Sequence, residues 1–129
     1  MYFSVTGMKK NSQKTGTWAE EKAVKFLIEK NYSILARNWR FKKYEIDIIA
    51  RDKQTLVFVE VKARSTDAFG EPEVFVNRQK QRFLIAAANQ YLLENNIELE
   101  SRFDIISILV INNNITVKHL EDAFYPSLK

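Results

Sequence analysis

Two short segments of alternating polarity stand out in the middle of the chain. Residues 45–49 and 58–62 are rich in β-branched and aromatic side chains, and each alternates in polarity, as a β-strand does. The polar residues 52–55 between them predict a hairpin turn centred on Lys53 and Gln54. In a hairpin with this turn, the opposed pairs are Asp52 with Thr55, Asp47 with Glu60, and Glu45 with Lys62.

This hairpin brings two like charges together. Directly opposed residues share a face of a sheet, so Asp47 and Glu60 repel each other unless a cation lies between them. The sequence contains no cysteine, which excludes disulfides, thiolate metal sites and thiol nucleophiles. The hairpin therefore predicts a metal ion bound through oxygen, and the lack of cysteine makes the reducing cytoplasm the expected location.

Other periodicities predict two helices and three further strands. The capping-box pattern from Thr17 to Glu20 predicts a first helix that begins at Thr17 and runs to Asn31. A long loop over residues 64–76 is expected to border a functional site, and Asn77 then caps a second helix that ends at residues 95–96. The remaining predicted features are strands over residues 32–41, 103–111 and 115–120, a turn at residues 112–114, and a tail over residues 123–126 that lies against the domain.

The resulting element order is α, β, β, β, α, β, β. The strand over residues 103–111 is almost uninterrupted apolar sequence, as expected of a central strand buried on both faces. A right-handed crossover through the second helix would set it parallel to the strand of Glu60. We therefore predict an α/β fold, a central mixed five-stranded sheet flanked by helices. The 129 residues suit a single domain, assigned to residues 16–129, after a flexible segment over residues 1–15.

The distribution of charge indicates a class of partner. The chain has 20 basic and 16 acidic residues, and the net charge of +4 mildly favours polyanions. Basic side chains gather in residues 37–43 and 78–82, while the strands between carry the carboxylates. An acidic centre flanked by basic segments suits an enzyme that holds a phosphodiester and a divalent ion together. We expect neither a secretion signal nor a membrane span, because no segment has either pattern.

Several motifs together resemble those of a known family. Asp47, twelve intervening residues and then Glu60-Val61-Lys62 match the acidic and Glu-x-Lys pattern of nucleases with the restriction-endonuclease-like fold. From about residue 16 to residue 124, the chain looks more closely like the bacterial YraN-like family, which is similar to archaeal Holliday-junction resolvases. The segments that carry this resemblance are residues 19–20, 38–40, 45–47, 58–64, 69–70, 79–81 and 102–104.

The resemblance implies a divalent-metal-dependent endonuclease that acts on duplex, branched or junction DNA. Asp47 and Glu60 would hold Mg²⁺ or Mn²⁺, and the carbonyl of Val61 could complete the coordination. By the same resemblance Glu20 would be an additional acidic ligand, directly or through water. Lys62 would stabilise developing negative charge or orient the attacking water. Because junction resolvases of similar fold work as symmetric dimers, a homodimer is also implied.

Basic side chains around this centre are the predicted DNA contacts, together with one amide that could orient a water or a phosphate. They are Arg40, Arg64, Arg78, Gln79, Lys80 and Arg82. Three of these cations fall in the first turns of the second helix, where they oppose the helix dipole, and a phosphate bound there would reconcile the mismatch. Trp39 and Phe69 could stack on bases, although aromatic residues at such positions more often belong to the core.

Each assignment has a structural alternative. The charged residues of the hairpin could form a cross-strand ion-pair ladder, although two opposed acids with one lysine make a poor ladder. Glu20 could bond back to Thr17 within the capping box, and the basic residues of the second helix could form a solvated face.

Two residues outside the hairpin have structural assignments as well. Asp104 is expected to pair with Arg102, and His119 has no acidic partner nearby in sequence, which argues against a catalytic histidine. The whole chain could also be a non-catalytic nucleic-acid-binding or protein-interaction module that retains the fold.

Overall fold

The computed structural model describes residues 12–65 and 76–124, with side chains from residue 17 onward. The predicted order α, β, β, β, α, β, β is confirmed. The elements are α1 Ser12–Glu29, β1 Ser33–Phe41, β2 Tyr44–Asp52, β3 Thr55–Arg64, α2 Arg78–Glu94, β4 Glu100–Ile111 and β5 Asn114–Phe124. The predictions for the loop after residue 65, for Phe69 and for residues 125–126 lie outside the described residues.

The five strands form one mixed sheet in the order β1-β2-β3-β4-β5. Neighbouring strands are antiparallel except β3 and β4, which run parallel from the pair Thr55 and Glu100 to the pair Arg64 and Leu109. The predicted α/β class and the predicted parallel pairing are therefore confirmed. Strand β4 lies inside the sheet, and from Phe103 to Ile108 every residue is buried, which agrees with its apolar sequence.

The β2–β3 hairpin has the predicted turn and register. Lys53 adopts a positive φ of 57°, as tight hairpin turns require, and Asp52 lies opposite Thr55. The paired positions continue to Ile48 opposite Val59. Asp47 and Glu60 are the next residues in this register, so the hairpin carries both acidic side chains to its far end.

Two layers of apolar side chains fix the sheet between the helices. On one face, α2 packs against a cluster that includes Phe58 and Phe103, whose rings stack with centroids 5.4 Å apart. On the other face, Ala23 and Leu27 of α1 pack against residues that include Val57. Alternation along β3 supplies both layers, because successive side chains point to opposite faces. Within the described ranges, neither helix is long and apolar enough to cross a membrane.

Helix α2 has the predicted ends. The side chain of Asn77 accepts a hydrogen bond from the backbone N–H of Lys80 at 2.8 Å, which satisfies a donor that the helix itself leaves unpaired. Asn95 ends the helix, and its backbone N–H donates back to the carbonyl of Tyr91. Both ends were readable from the sequence because capping is a local interaction.

Helix α1 begins at Ser12, so the predicted start at Thr17 is wrong. Thr17 is an interior residue of this helix and not its N-cap. The five residues before it contain no proline, and the single Gly16 costs a helix only about 1 kcal/mol relative to alanine. The helix thus includes residues 12–15 of the segment assigned as flexible, while residues 1–11 lie outside the described residues.

Strand β5 continues to Phe124, although the sequence predicted an end at Leu120. Its pairing with β4 shifts between Ile105 opposite Leu120 and Phe103 opposite Phe124, and Asp122 in the shifted segment has a φ of 55°. This bulge interrupts the alternation of polarity, which is why the pattern predicted an earlier end. Beyond it, Phe124 stacks on Phe103 with centroids 5.0 Å apart.

Candidate functional site

The candidate site is a row of polar residues on three strands, one amide on β1 and one acid each on β2 and β3. Arg37 opposite Ile48 and Trp39 opposite Ile46 place Asn38 opposite Asp47 in the β1–β2 register. On β3, Glu60 follows the last β2–β3 pair, Ile48 with Val59, and it lies close enough to Asp47 for its charge to raise the pKa of that carboxyl. This row is at the end of the hairpin away from its turn, where α1 supplies one more acid, Glu20, and α2 supplies Lys80.

Asp47 is bonded to the backbone of the neighbouring strand. Its Oδ2 accepts a hydrogen bond from the N–H of Val61 at 2.8 Å. Burial, followed by the charge of Glu60, raises the pKa of the Asp47 carboxyl well above its usual range, and the charge of Glu20 adds to the rise. The hydrogen bond from Val61 opposes the rise without cancelling it. The predicted conflict of like charges is therefore present in the fold.

Glu20 reaches the same site from α1. Its two carboxylate oxygens lie 2.9 and 3.0 Å from the side-chain amide nitrogen of Asn38, which donates to them. Burial raises the pKa of Glu20, and the amide of Asn38 partly offsets this effect. Because α1 begins well before Thr17, Glu20 is not a residue of a capping box, and the alternative that rested on the box is removed.

Glu60 is held between two lysines. Its Oε2 lies 3.3 Å from the ammonium nitrogen of Lys80 and 3.8 Å from that of Lys62, and its side chain is only 7% exposed. Its other oxygen, Oε1, is buried and has no hydrogen-bond partner among the described residues. A buried carboxylate oxygen without a partner is costly, so this atom marks a place where a further ligand would be stabilising.

The donor chemistry at this site fits a hard divalent cation, because the three side chains offer carboxylate oxygens and Val61 offers a carbonyl. As the side chains lie, however, no group of three or more acidic or histidine residues in the described ranges is arranged to hold a metal ion. Glu60 faces lysines and Glu20 faces an amide. A cation would therefore have to take over contacts that the protein now makes internally.

The predicted nucleic-acid contacts fall into separate groups. Arg78, Gln79 and Arg82 are exposed on the first turns of α2, while Arg64 is half-buried at the end of β3. Arg40 is exposed, and its Nε lies 3.8 Å from Oε2 of Glu45, which is its cross-strand neighbour. Lys80 differs from its neighbours because its ammonium turns to Glu60.

The predicted pair of Glu45 and Lys62 is not among the cross-strand pairs of β2 and β3, which end at Ile48 opposite Val59. Glu45 forms an ion pair with Arg40 of β1, and the ammonium of Lys62 lies 3.8 Å from Glu60 of its own strand. The hairpin alone could not reveal this, because it took no account of β1 on the other side of β2. Residues two apart on a strand also share a face, and this places Lys62 next to Glu60.

Trp39 packs against the core. It is partly buried against the α2 side of the sheet, with its ring 5.3 Å from that of Tyr91 in an edge-to-face contact. The structural alternative considered for this residue is therefore confirmed.

A second polar cluster surrounds Asp104, which is completely buried. The predicted pair is confirmed, since the guanidinium of Arg102 donates to both oxygens of Asp104 at 2.9 and 3.0 Å. His119 also lies on Asp104, with Nε2 2.7 Å from Oδ2, so its lack of an acidic neighbour in sequence was misleading. Lys30 approaches the other ring nitrogen at 2.8 Å, and Arg102 also donates to the hydroxyl of Tyr32.

Opposing effects set the pKa of the Asp104 carboxyl. Burial would raise it, but the hydrogen bonds from His119, Arg102 and the backbone N–H of Asp122 outweigh burial and leave the pKa below its usual value. The same carboxylate raises the pKa of the Arg102 guanidinium. This cluster ties the residues after α1 to β4 and β5. It lies across the sheet from Asp47, because Asp104 pairs with Val59, the residue before Glu60.

Sequence reasoning missed the roles of two residues at the site. Asn38 was noted only as part of a motif, and Lys80 only as a cation on a helix. Pairing β1 with β2 would have revealed Asn38, because it puts this amide opposite the acid Asp47; its φ of 50° is known only from the structure. The contact of Lys80 with Glu60 depends on how α2 packs on the sheet and has no signal in the sequence.

Comparison with known proteins identifies the family. Residues 19–108 match the model of the Uncharacterised protein family UPF0102. The UPF0102 protein FP2501 of Flavobacterium psychrophilum is 47% identical over 110 residues, which cover 85% of this chain and 92% of that protein. The UPF0102 protein of Phocaeicola vulgatus is 42% identical over 113 residues, which cover 88% of this chain and 93% of that protein. The UPF0102 protein of Geotalea daltonii is 46% identical over 121 residues, which cover 92% of this chain and 95% of that protein.

The fold and site together define an α/β protein with buried and half-buried carboxylates gathered on one part of a mixed sheet and the adjoining helix. This chain belongs to the UPF0102 family, as the extent of the family match and of the relatives shows. The matched span contains Glu20, Asp47, Glu60 and Lys62, so the site is part of the family domain.

Proposed function

We propose that this protein is a divalent-metal-dependent endonuclease that acts on DNA, with its chemical centre at Asp47, Glu60 and Lys62. The observation that carries the proposal is the gathering of carboxylates from α1, β2 and β3 around Asp47, which raises its pKa. Evolution of a stable domain alone would not favour such repulsion, whereas a cation would relieve it.

The residues have distinct roles in this proposal. Asp47 and Glu60 would hold Mg²⁺ or Mn²⁺, with Glu20 as a further ligand, directly or through water, and with the Val61 carbonyl as a backbone ligand. When bound, such an ion polarises a phosphate and lowers the pKa of water. Lys62 would donate to the negative charge that develops on the phosphate, since its ammonium already lies beside Glu60.

The partner would be DNA in duplex or branched form, held through its phosphates. The exposed cations Arg78 and Arg82 lie on the helix that also brings Lys80 to Glu60, so a bound backbone would pass close to the acidic row. Arg40, Arg64 and Gln79 are further candidates for these contacts. A homodimer that cuts two strands of a junction would fit the same proposal.

The test is cleavage of linear, flapped and four-way-junction DNA by the purified protein with Mg²⁺ or Mn²⁺. We expect metal-dependent cleavage that is lost in an Asp47→Ala, Glu60→Ala double variant. If the parent binds both metal and DNA but cuts none of these substrates, the enzyme proposal is wrong and a non-catalytic binding module replaces it. Failure to bind any form of DNA would instead favour a protein-interaction module.

A further inference from the structure

Lys80 occupies a position that helix electrostatics alone does not favour. It is the third residue of α2, and its backbone N–H donates to the cap Asn77. The positive end of a helix dipole disfavours a cation there by a few tenths of a kcal/mol to about 1 kcal/mol. Its ammonium, however, lies 3.3 Å from Oε2 of Glu60, so the contact with this carboxylate offsets the mismatch.

The charge of Lys80 acts on more than one acid of the site. Besides its contact with Glu60, it lowers the pKa of Asp47 and so opposes the repulsion between the two carboxylates. A divalent cation bound by Asp47 and Glu60 would do the same with greater charge. In the metal-free protein, the ammonium of Lys80 therefore supplies positive charge to the same carboxylates that the proposed metal ion would neutralise.

We propose that Lys80 is an internal counter-ion of Glu60 that a divalent cation must displace. This inference rests on the proposed metal site and assigns Lys80 a role different from DNA contact. Two like-charged cations compete for one carboxylate oxygen, because each lowers the energy of Glu60 and each repels the other. Lys80 is thus a positioning residue that holds Glu60 in the metal-free protein and sets how tightly the cation binds.

Lys62 is the lysine that remains beside Glu60 when a divalent cation binds. It belongs to the same strand as Glu60 and is two residues away, so the backbone fixes it beside the carboxylate. Lys80 reaches Glu60 from a helix, with a side chain that is 43% exposed and has solvent to move into. The two lysines therefore have different roles. Lys62 remains to act on the phosphate, whereas Lys80 leaves Glu60 when the cation binds.

The first experiment is calorimetric titration of Mn²⁺ into the parent, Lys80→Gln and Arg78→Gln. Arg78 is the matched control because it is exposed on the same helical turn and its replacement removes the same charge. We expect Lys80→Gln to bind Mn²⁺ about three- to tenfold more tightly than the parent, the scale of one partly exposed ion pair that no longer has to be broken. Arg78→Gln should bind with nearly parental affinity.

The outcomes separate this inference from the proposed function. If the parent binds Mn²⁺ and Lys80→Gln binds equally or more weakly, the counter-ion role is wrong and the metal site stands. An equal gain in both variants would also contradict displacement, because it would show a long-range effect of net charge. If the parent, Lys80→Gln and Arg78→Gln all fail to bind Mn²⁺, the metal site itself is refuted, and the counter-ion role with it.

A second measurement follows the ammonium directly and guards against a variant that folds poorly. In the folded parent, the ¹⁵N signal of the Lys80 ammonium should shift as diamagnetic Mg²⁺ is added, with the same midpoint as a calorimetric titration of Mg²⁺. A Glu60→Gln variant should show no metal-dependent shift of this signal. If Mg²⁺ binds the parent and the Lys80 signal does not move, the proposed displacement is overturned.

Discussion

Asp47 accepts the backbone N–H of Val61 at 2.8 Å, just beyond the last pair of the β2–β3 hairpin, Ile48 with Val59. This hydrogen bond fixes one carboxylate oxygen and stabilises the ionised form, while Glu60 and Glu20 destabilise it. Asp47 is therefore held at a place where its negative charge is unfavourable. Such a balance makes the role of Asp47 measurable through stability as well as through activity.

Replacement of Asp47 by Asn should stabilise the metal-free protein. The raised pKa means that ionised Asp47 costs stability at neutral pH, and Asn can still accept from Val61. We expect the free energy of unfolding in urea to rise by about 1 kcal/mol or more at pH 7. The gain should disappear as pH falls through the raised pKa, where Asp47 is itself neutral.

The exposed Glu98 provides the control for this prediction, since Glu98→Gln makes a similar change away from the site. Its effect should be within about 0.5 kcal/mol of zero. A loss of stability in Asp47→Asn would instead indicate that Asp47 takes part in a favourable ion-pair ladder.

Replacement of Asp104 by Asn should strongly destabilise the protein. This carboxylate is fully buried and is bonded to Arg102, His119 and the N–H of Asp122, so its loss leaves the guanidinium of Arg102 without its counter-charge. We expect a loss of about 3 kcal/mol in the free energy of unfolding at pH 7. Urea titrations of both proteins would measure it.

The pH dependence of that loss has a definite sign. The pKa of Asp104 is lower in the folded protein than its usual value, so its stabilising contribution is complete above the unfolded pKa, near 4. It is lost as pH falls through the folded pKa. The parent and Asp104→Asn should therefore converge in stability at acidic pH, and a constant difference across that range would contradict the assignment.

Removal of the Asn38 side chain should raise the pKa of Glu20 further. The amide of Asn38 donates to both oxygens of Glu20 and lowers its pKa, so its loss favours the protonated acid. Asn38→Gly is the suitable variant, because glycine keeps the φ of 50° without strain. The pKa of the Glu20 carboxyl can be followed by ¹³C NMR, and an unchanged value would show that the amide does not control it.

Replacement of Lys62 by Ala should abolish metal-dependent cleavage and leave DNA affinity nearly intact. Lys62 is proposed to act on charge that develops only in the transition state, so its loss should appear in the chemical step. A fall in kcat of about 100-fold or more is expected from the loss of one such donor. Lys25→Ala, an exposed lysine on α1, is the control and should retain parental cleavage. Equal losses of affinity and rate in Lys62→Ala would argue against the role.

Replacement of Arg78 and Arg82 together by Ala should weaken DNA binding and reduce its dependence on salt. Both side chains are exposed on the first turns of α2, where they would meet phosphates. Each lost phosphate contact lowers the slope of log affinity against log salt by about 0.9 for duplex DNA. Sequence preference should not change, since phosphates are the same in every sequence. An unaltered slope would remove this face of α2 from the interface.

Much of the fold followed from local features of the sequence. The alternation of polarity in β2 and β3, with polar residues between them, predicted the hairpin turn at Lys53 and the proximity of Asp47 and Glu60. Asn77 predicted the start of α2. The apolar run of β4 predicted a buried strand parallel to β3, because the intervening helix requires a crossover. Turns, caps and side-chain alternation depend on residues close together in the chain, and that is why they can be read directly.

Tertiary packing decided the partners of the charged groups. Glu20 meets Asn38 across 18 positions and His119 meets Asp104 across 15, while Lys80 reaches Glu60 only because α2 packs on that face of the sheet. The sequence predicted which residue types would supply the chemistry and where the hairpin would gather them. It could not determine which cation neutralises which acid, because a charged side chain on a strand or helix has several neighbours in space, and only the packing of the elements selects among them.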